Sequence, residues 1–285
     1  MNVELRALTK EDLTQVYGCF VKAFSGDDRT IVISERDFYQ RLNRNAYLPQ
    51  ISVGAFMGEE MVGFMLHCLS QTTAYNAGTG VVPAYRGQQL GQKMFAFALP
   101  LLRQQAQECL LEVLKTNAAA LKTYQNCGFT VKRELMLYAL YSKNLKVSSP
   151  KTRFHIIEAE QPDWSVYQNF GSFSPSYQNR FEAIARDWDD QKLLEAYHKA
   201  DLVGYCIFSM KTGRISQLAV SETFRRKGIG SALLAKVYYL SKVKEISILN
   251  VDAAAGSILE FFKKTGFVRP LIQLEMSRTL TEPAT

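Results

Sequence analysis

Apolar residues at Leu13, Val16, Tyr17 and Phe20 fall at i, i+3, i+4 and i+7, the spacing of one helical face. Thr9 precedes that stripe as an N-cap, with Glu11 and Asp12 in the first turn, where the helix dipole favours acids. Val3 to Leu8 reads as a strand leading in. The period then shortens: "SVGAFM" and "MVGFMLHCLS" are β-prone runs split by Gly58-Glu59-Glu60, which predicts a hairpin. A strand at Ala74 to Val82 runs into a glycine-bearing turn, Arg86 to Gly91, and Gln92 to Ala106 continues as a helix. A strand at Cys109 to Asn117, a helix from Ala118 stopped by Gly128, and the β-prone run Thr130 to Tyr141 follow. Hydrophobicity drops from Asn144 to Lys151, the signature of a linker.

The second half repeats this order. "RFHIIEAE" is a strand, an irregular helical region reaches "RFEAIARDW", and "KLLEAYHKADLVGYCIFSM" is a hairpin. "GRISQLAV" leads into the turn "SETFRRKGIG", followed by the strand "EISILNVD" and the helix "SILEFFKKTGF" ending at Gly266. Arg86 and Arg225 are 139 positions apart, and Phe129 and Phe267 are 138 apart, a spacing that points to duplication. The predicted domains are residues 1–146 and 152–285, and a chain of 285 residues is long enough for two cores.

Composition narrows the function. With 47% hydrophobic and 21% charged residues, 8 Pro and 17 Gly, neither a long disordered tract nor a collagen-like repeat is available. The five cysteines are scattered singly and the three histidines lie far apart, so no local zinc motif is offered and a reducing cytosol is the expected setting. "MNVELRALTKEDL" carries charges where a secretory segment needs an apolar run, and no uncharged stretch has membrane-spanning length, so a soluble cytoplasmic protein without a membrane partner is expected. The net charge of +7 is spread along the chain, with no basic tract denser than Arg225-Arg226-Lys227. That cluster suits a phosphate-bearing small molecule better than nucleic acid.

A strand that ends in a glycine-bearing turn and opens a helix aims several backbone N–H groups and the positive end of the helix dipole at one point, which makes an anion cradle. The spacing of neither turn fits a G-x-G-x-x-G dinucleotide fingerprint. Arg225, Arg226, Lys227, Gly228, Ile229 and Gly230 instead match Q/R-x-x-G-x-G/A in full, while Arg86, Gly87, Gln88, Gln89, Leu90 and Gly91 keep the Arg and the last Gly but place Gln89 at the first motif glycine. Asn117-Ala-Ala-Ala-Leu-Lys-Thr-Tyr124 followed by Gly128-Phe129 resembles a second motif, N-x-x-A-x-x-x-Y with a closing GF. In both patterns the chain resembles the GCN5-related N-acetyltransferase (GNAT) superfamily, as two tandem modules, an arrangement shared with mycothiol synthase.

The resemblance implies an α/β (α+β) fold of two GNAT-like domains, each a mixed, mostly antiparallel central sheet flanked by helices. It implies an acyltransferase that moves an acetyl group from acetyl-CoA, a co-substrate, to a primary amine of a small molecule or peptide, without a metal, in a monomer or homodimer. Val81 and Val82 would pair with the pantetheine arm, the turn at Arg86 would hold the pyrophosphate and Asn117 would touch CoA; Leu218, Ala219, Val220 and the loop through Ser231 are the counterparts in copy two. Tyr124 is the expected general acid toward sulfur, and Glu112 or a water the base. Copy two has Phe262 at the Tyr position, Ala255 at the Asn position, and Asn250 where copy one has Glu112, each twelve residues before the aromatic. Copy one is therefore favoured as catalytic. Glu112 facing solvent, Tyr124 as a core aromatic, Asn117 as a helix cap, catalysis in copy two, and a non-catalytic CoA sensor are the competing readings, and Cys127 is read as a packing residue. Asp27 and Asp28 could attract a cationic amine, or belong to a solvated loop, and "SPSYQNRF" could line a pocket.

Overall fold

The computed structural model describes residues 3–25, 33–146, 151–171 and 173–281, so Asp27 and Asp28 lie outside the described residues. In chain order the elements are β1 (Glu4–Ala7), α1 (Leu13–Phe24), α2 (Glu35–Arg44), β2 (Val53–Met57), β3 (Glu60–Ser70), β4 (Thr73–Val81), α3 (Leu90–Arg103), β5 (Glu108–Leu114), α4 (Ala118–Asn126) and β6 (Thr130–Tyr141). The second series is β7 (His155–Ala159), α5 (Trp164–Tyr167), α6 (Phe181–Ala185), β8 (Gln191–His198), β9 (Asp201–Ser209), β10 (Arg214–Val220), α7 (Ile229–Ser241), β11 (Glu245–Asp252), α8 (Gly256–Thr265) and β12 (Val268–Thr279).

Two compact units result, one of residues 1–132 with 274–285, the other of residues 133–273. The division differs from the expected 1–146 and 152–285, because each unit takes its last strand from the other half of the sequence. In the first unit Leu274, Met276 and Leu280 are buried in the core with Val53, Met65, Phe95 and Leu111, and the Leu280 amide donates to Gln107 O at 2.8 Å. In the second, β6 pairs antiparallel with β11 from Leu135↔Asp252 to Tyr141↔Glu245, and Leu140 is buried against Leu194, Phe208 and Ile246. Alternation in a sequence announces a strand and its buried face but not its partner.

Within the first unit β1 to β4 run antiparallel to their neighbours and β4 pairs parallel with β5. Helices cover both faces: Met94, Phe95 and Leu102 of α3 pack on one, and Val16, Phe20, Phe38 and Leu42 of α1 and α2 on the other. A sheet buried on both faces needs near-continuous apolar strands, which is why β3 departs from strict alternation. The second unit repeats the plan, with β7 to β10 antiparallel and β10 parallel to β11. Its α7 and α8 bury Leu233, Val237 and Phe262 on one face, while Tyr167, Phe170 and Ile184 sit on the other.

Two local expectations change. The first helix starts at Leu13 instead of just after Thr9, because Asp12 is engaged elsewhere: its carboxylate takes bonds from Arg6 (2.6 and 2.8 Å) and from the Thr9 amide (2.8 Å). The Arg6 guanidinium holds that carboxyl at about 2. A further helix, α2, lies in a stretch to which the sequence reading assigns no element, opened by Ser34, whose hydroxyl accepts from the Asp37 amide at 3.2 Å.

Candidate active site

The two glycine-bearing turns have one backbone. Gly87 and Arg226 both have positive φ, at 79° and 64°, and so do Gln89 and Gly228, at 59° and 93°. Each copy thus places glycine at one of its two left-handed positions and bears the strain of a side chain at the other. Gln89 keeps the conformation that the glycine of copy two supplies, so its amide keeps its direction. Leu90 and Ile229 are buried anchors that fix the helix starts, whereas Gln88 is exposed. Gly91 and Gly230 serve packing: a Cβ would stand 3.1 Å from Thr123 Cγ2 in the first and 3.0 Å from Phe261 Cζ in the second.

The motif arginines act on the turn itself. Arg86 Nε donates to Val81 O (3.2 Å) and Nη2 to Ala23 O (2.7 Å); Arg225 Nε donates to Val220 O (3.1 Å). Both clamp the turn to the preceding strand, and the expected anion cradle rests on backbone amides. Arg226 lies 3.6 Å from Glu260, and the Lys227 ammonium stands 4.5 Å over the Phe224 ring. Ser231 is buried in the first turn of α7.

Above each turn the parallel strands part. The β4–β5 ladder stops at Asn76↔Leu111, although β4 continues to Val81 and β5 to Leu114. The β10–β11 ladder stops at Ile215↔Ile248, with Leu218, Ala219 and Val220 beyond it. The result in each unit is a wedge whose strand edges can hydrogen-bond an extended ligand. Val82 stays tied to the hairpin through its amide, which donates to Val62 O at 2.9 Å.

The first wedge is polar. Tyr124, on α4, packs edge-on against Phe129 with centroids 6.0 Å apart. Burial raises the phenol's pKa and the Thr79 hydroxyl opposes the rise. Thr79 is in turn held by Asn76, whose Nδ2 donates to Thr79 Oγ1 at 3.0 Å and whose Oδ1 accepts from Thr79 Oγ1 (3.2 Å) and from the Gly78 amide (3.1 Å). On β5, Cys109, Leu111 and Val113 join the core beneath α3 and α4, so Glu112 between them points to the opposite face, where Tyr75 OH donates to its Oε2 at 3.0 Å. Burial raises the Tyr75 phenol far above its usual value, the charge of Glu112 adds to the rise, and Arg41 on α2 offsets part of it. The Tyr124 phenol and the Glu112 carboxylate therefore lie on opposite faces of the sheet.

Asn117 caps α4, its Oδ1 accepting from the Ala120 amide at 3.2 Å, which is the capping alternative of the sequence reading. Cys127 is buried in the core and burial pushes its thiol up, away from the thiolate a nucleophile needs. Tyr75, Asn76 and Thr79 belong to no motif that sequence reading singles out. Their signal is the internal alignment, where Asn76 and Thr79 stand opposite Ile215 and Leu218.

The second wedge is apolar and crossed. Phe262, buried, packs on Tyr138 and Phe267 with centroids 5.0 and 4.7 Å away, and Asn250 is buried with φ 62°. The "SPSYQNRF" segment lies across the strand ends on the face away from α7 and α8. Asn179 accepts from Gln217 Nε2 (2.6 Å, at its O) and Arg214 Nη2 (3.1 Å, at its Oδ1) on β10, and its Nδ2 donates to Leu249 O (2.8 Å) on β11. Arg133 Nη1 ties Ser174 O (2.7 Å) to Asp252 (3.0 Å). Ser176, Tyr177, Gln178 and Asn179 are buried there.

Two family models match this chain, one described as Acetyltransferase (GNAT) family over residues 14–129 and one as Acetyltransferase (GNAT) domain over residues 161–275. The chain belongs to the GNAT superfamily. As a tandem GNAT protein, an acetyltransferase-family enzyme, it is similar in fold to a tandem GNAT protein from the clavulanic acid biosynthesis pathway, with a TM-score of 0.73 and 15% identity over 99% of this chain and 100% of that one. A GCN5-related N-acetyltransferase from Sphaerobacter thermophilus superposes with a TM-score of 0.72 and 15% identity, over 99% of this chain and 97% of that one. No curated protein matches this tandem GNAT chain in sequence. Among the described residues no helix is long and apolar enough to cross a membrane, and no cluster of His, Cys, Asp or Glu is placed to hold a metal ion.

Proposed function

We propose that this protein acetylates a primary amine of a small molecule or peptide in the cleft of its first unit, with Tyr124 as general acid and Glu112 or a water as base. The observation that carries this reading is the placement of a phenol and a carboxylate on opposite faces of the sheet whose ladder stops at Asn76↔Leu111. Acetyl-CoA supplies the activated acetyl group as a thioester. The fit rests on the parted strand edge and an amide-lined turn: β4 beyond Asn76, including Val81, would pair with the pantetheine arm, and the amides of Gly87 to Gly91 would hold the pyrophosphate. The amine enters from the Glu112 face. Its nitrogen forms the new bond to carbonyl carbon as the carbon–sulfur bond breaks; the proton leaving nitrogen passes to Glu112 or water, and the proton reaching sulfur comes from Tyr124, which solvent restores. The second unit keeps the turn but has no hydroxyl at Phe262, and its own Ser174 to Asn179 segment crosses the face from which an amine would come. This supports a CoA-competent or structural role for it.

The test is CoA thiol release with a panel of amines. Tyr124→Phe is expected to lower kcat by about 100-fold, in the range of general acid catalysis, with the fold intact. Unchanged turnover in that variant, or no release with any amine in the parent protein, overturns the reading.

A further inference from the structure

We propose that Tyr75 is a positioning residue for the base of the first unit: its phenol fixes one oxygen of the Glu112 carboxylate and keeps that carboxylate charged, and the other oxygen takes the proton from the amine. The inference rests on Glu112, and not a water, being the base, and names what orients it.

Three observations carry it. The Tyr75 hydroxyl donates to Glu112 Oε2 at 3.0 Å, from a ring that is 2% exposed and so held in place by its packing. An ionised carboxylate only accepts, which sets the direction of the bond. Burial, and then the charge of Glu112, raise the phenol far above its usual value, so it keeps the proton it donates. Secondly, the pair stands where the strands part. Tyr75 is paired with Leu110, one step before the ladder ends at Asn76↔Leu111, and Glu112 is the first residue of β5 beyond that end. A donor rooted in the closed part of the ladder thus holds a carboxylate at the start of the open part. Thirdly, the duplicated chain supplies its own control. At the alignment positions of Tyr75 and Glu112 the second unit has Arg214 and Asn250, and Arg214 Nη2 donates instead to Asn179 Oδ1 at 3.1 Å. The donor and the carboxylate it serves are exchanged together.

Ionisation is what the bond supplies. A carboxyl group in an apolar strand is driven toward its neutral form, which is no base, and a hydrogen bond to the charged form opposes that drive. Two other groups act on the Tyr75 phenol: Arg41 from α2 offsets part of its rise and Cys68 from β3 adds to it. As the amine nitrogen bonds to the thioester carbon, its proton passes to Glu112 Oε1 while Oε2 still accepts from Tyr75. The neutral acid then returns that proton to solvent.

The experiment is kcat/KM against pH for the full-length protein, with acetyl-CoA and the amine that turns over fastest, taken as the ratio of parent to variant so that the titration of the amine itself cancels. Tyr75→Phe removes a single oxygen. It is expected to lower kcat/KM for the amine about tenfold at pH 7, the effect of losing one hydrogen bond to a charged group, and the deficit shrinks to about twofold by pH 9 as the carboxylate ionises without help. KM for acetyl-CoA stays within about twofold of the parent value. Glu112→Gln lowers kcat/KM about 100-fold, and in that background Tyr75→Phe changes it by less than about twofold, because the two residues act as one. A deficit that is equal at every pH, or that persists undiminished in the Glu112→Gln background, means that Tyr75 serves packing alone and the proposal is wrong; so does full activity in Tyr75→Phe. Full activity in Glu112→Gln makes water the base and overturns this inference, leaving acetyl transfer with Tyr124 as acid standing. No CoA release with any amine in the parent overturns both.

Discussion

In the first unit the parting ends of β4 and β5, with α4, carry Asn76, Thr79, Glu112 and Tyr124; in the second, the same places hold Ile215, Leu218, Asn250 and Phe262. Below them the two turns agree in both left-handed positions and in the arginine that clamps each to its strand. The difference shows which features a duplicated fold can lose. Turn, clamp and helix start are held by backbone geometry and packing, so a change there alters stability in either unit. Polar groups lining a cleft are retained only where the cleft is used, and once a segment such as Ser174 to Asn179 crosses it, apolar side chains there carry no penalty.

The comparison can be broken most decisively at the level of the fold. A fragment of residues 1–146 lacks Leu274, Met276 and Leu280, three buried members of its core. At about 1.5–3 kcal/mol each, their loss approaches the whole stability of a typical domain. The fragment is expected to show no cooperative urea transition by circular dichroism, and a peptide of residues 274–285 added in trans should restore one. A stably folded fragment would show that the exchanged strand is dispensable.

Next in size is the chemical contrast. Phe262→Tyr in the second unit is expected to leave turnover unchanged in the CoA-release assay, since the Ser174 to Asn179 segment is bonded across β10 and β11 there; a gain in activity would place chemistry in the second unit.

A smaller effect separates the units by pH. His67 is fully buried in the first unit, its Nδ1–H donating to Ile51 O at 2.8 Å, and burial lowers its pKa to about 4. Neither His155 nor His198 is buried. The unfolded chain takes up this proton near its ordinary value of about 6.5, so the folded state keeps its full advantage above that pH and loses it as pH falls toward 4, by about 3 kcal/mol in all. Urea midpoints between pH 7 and 4.5 should fall more steeply for the parent than for His67→Leu; parallel curves would contradict the assignment.

The smallest prediction concerns the turns. Gln89→Gly removes a side chain from φ 59° and should raise stability by about 1 kcal/mol, and Gly228→Ala should lower it by a similar amount. Thermal melts that shift in neither variant would mean the strain is relieved elsewhere.

Much of this architecture is legible from local signals. Period-2 and helical patterns, the turn motifs and the stop glycines Gly128 and Gly266 locate the repeated modules, because each reports a local backbone requirement. Tyr124 stands out through its place in the N-x-x-A-x-x-x-Y motif, and Glu112 as a carboxylate inside an apolar strand. The start of α1 departs from its expected place because the Asp12 carboxylate serves Arg6, a contact made back to the strand β1 that no propensity encodes. Tyr75, Asn76 and Thr79 gain their meaning from where a strand ladder ends, and that end is set by tertiary structure.

The exchanged strand also orders events in time. Synthesis delivers Leu274 to Leu280 only after every residue of the second unit has been made, so the unit that begins first is completed last. Until then its half-built sheet must be kept from other partners, and the second unit, whose strands are contiguous from β6 to β11, has the chance to fold beforehand.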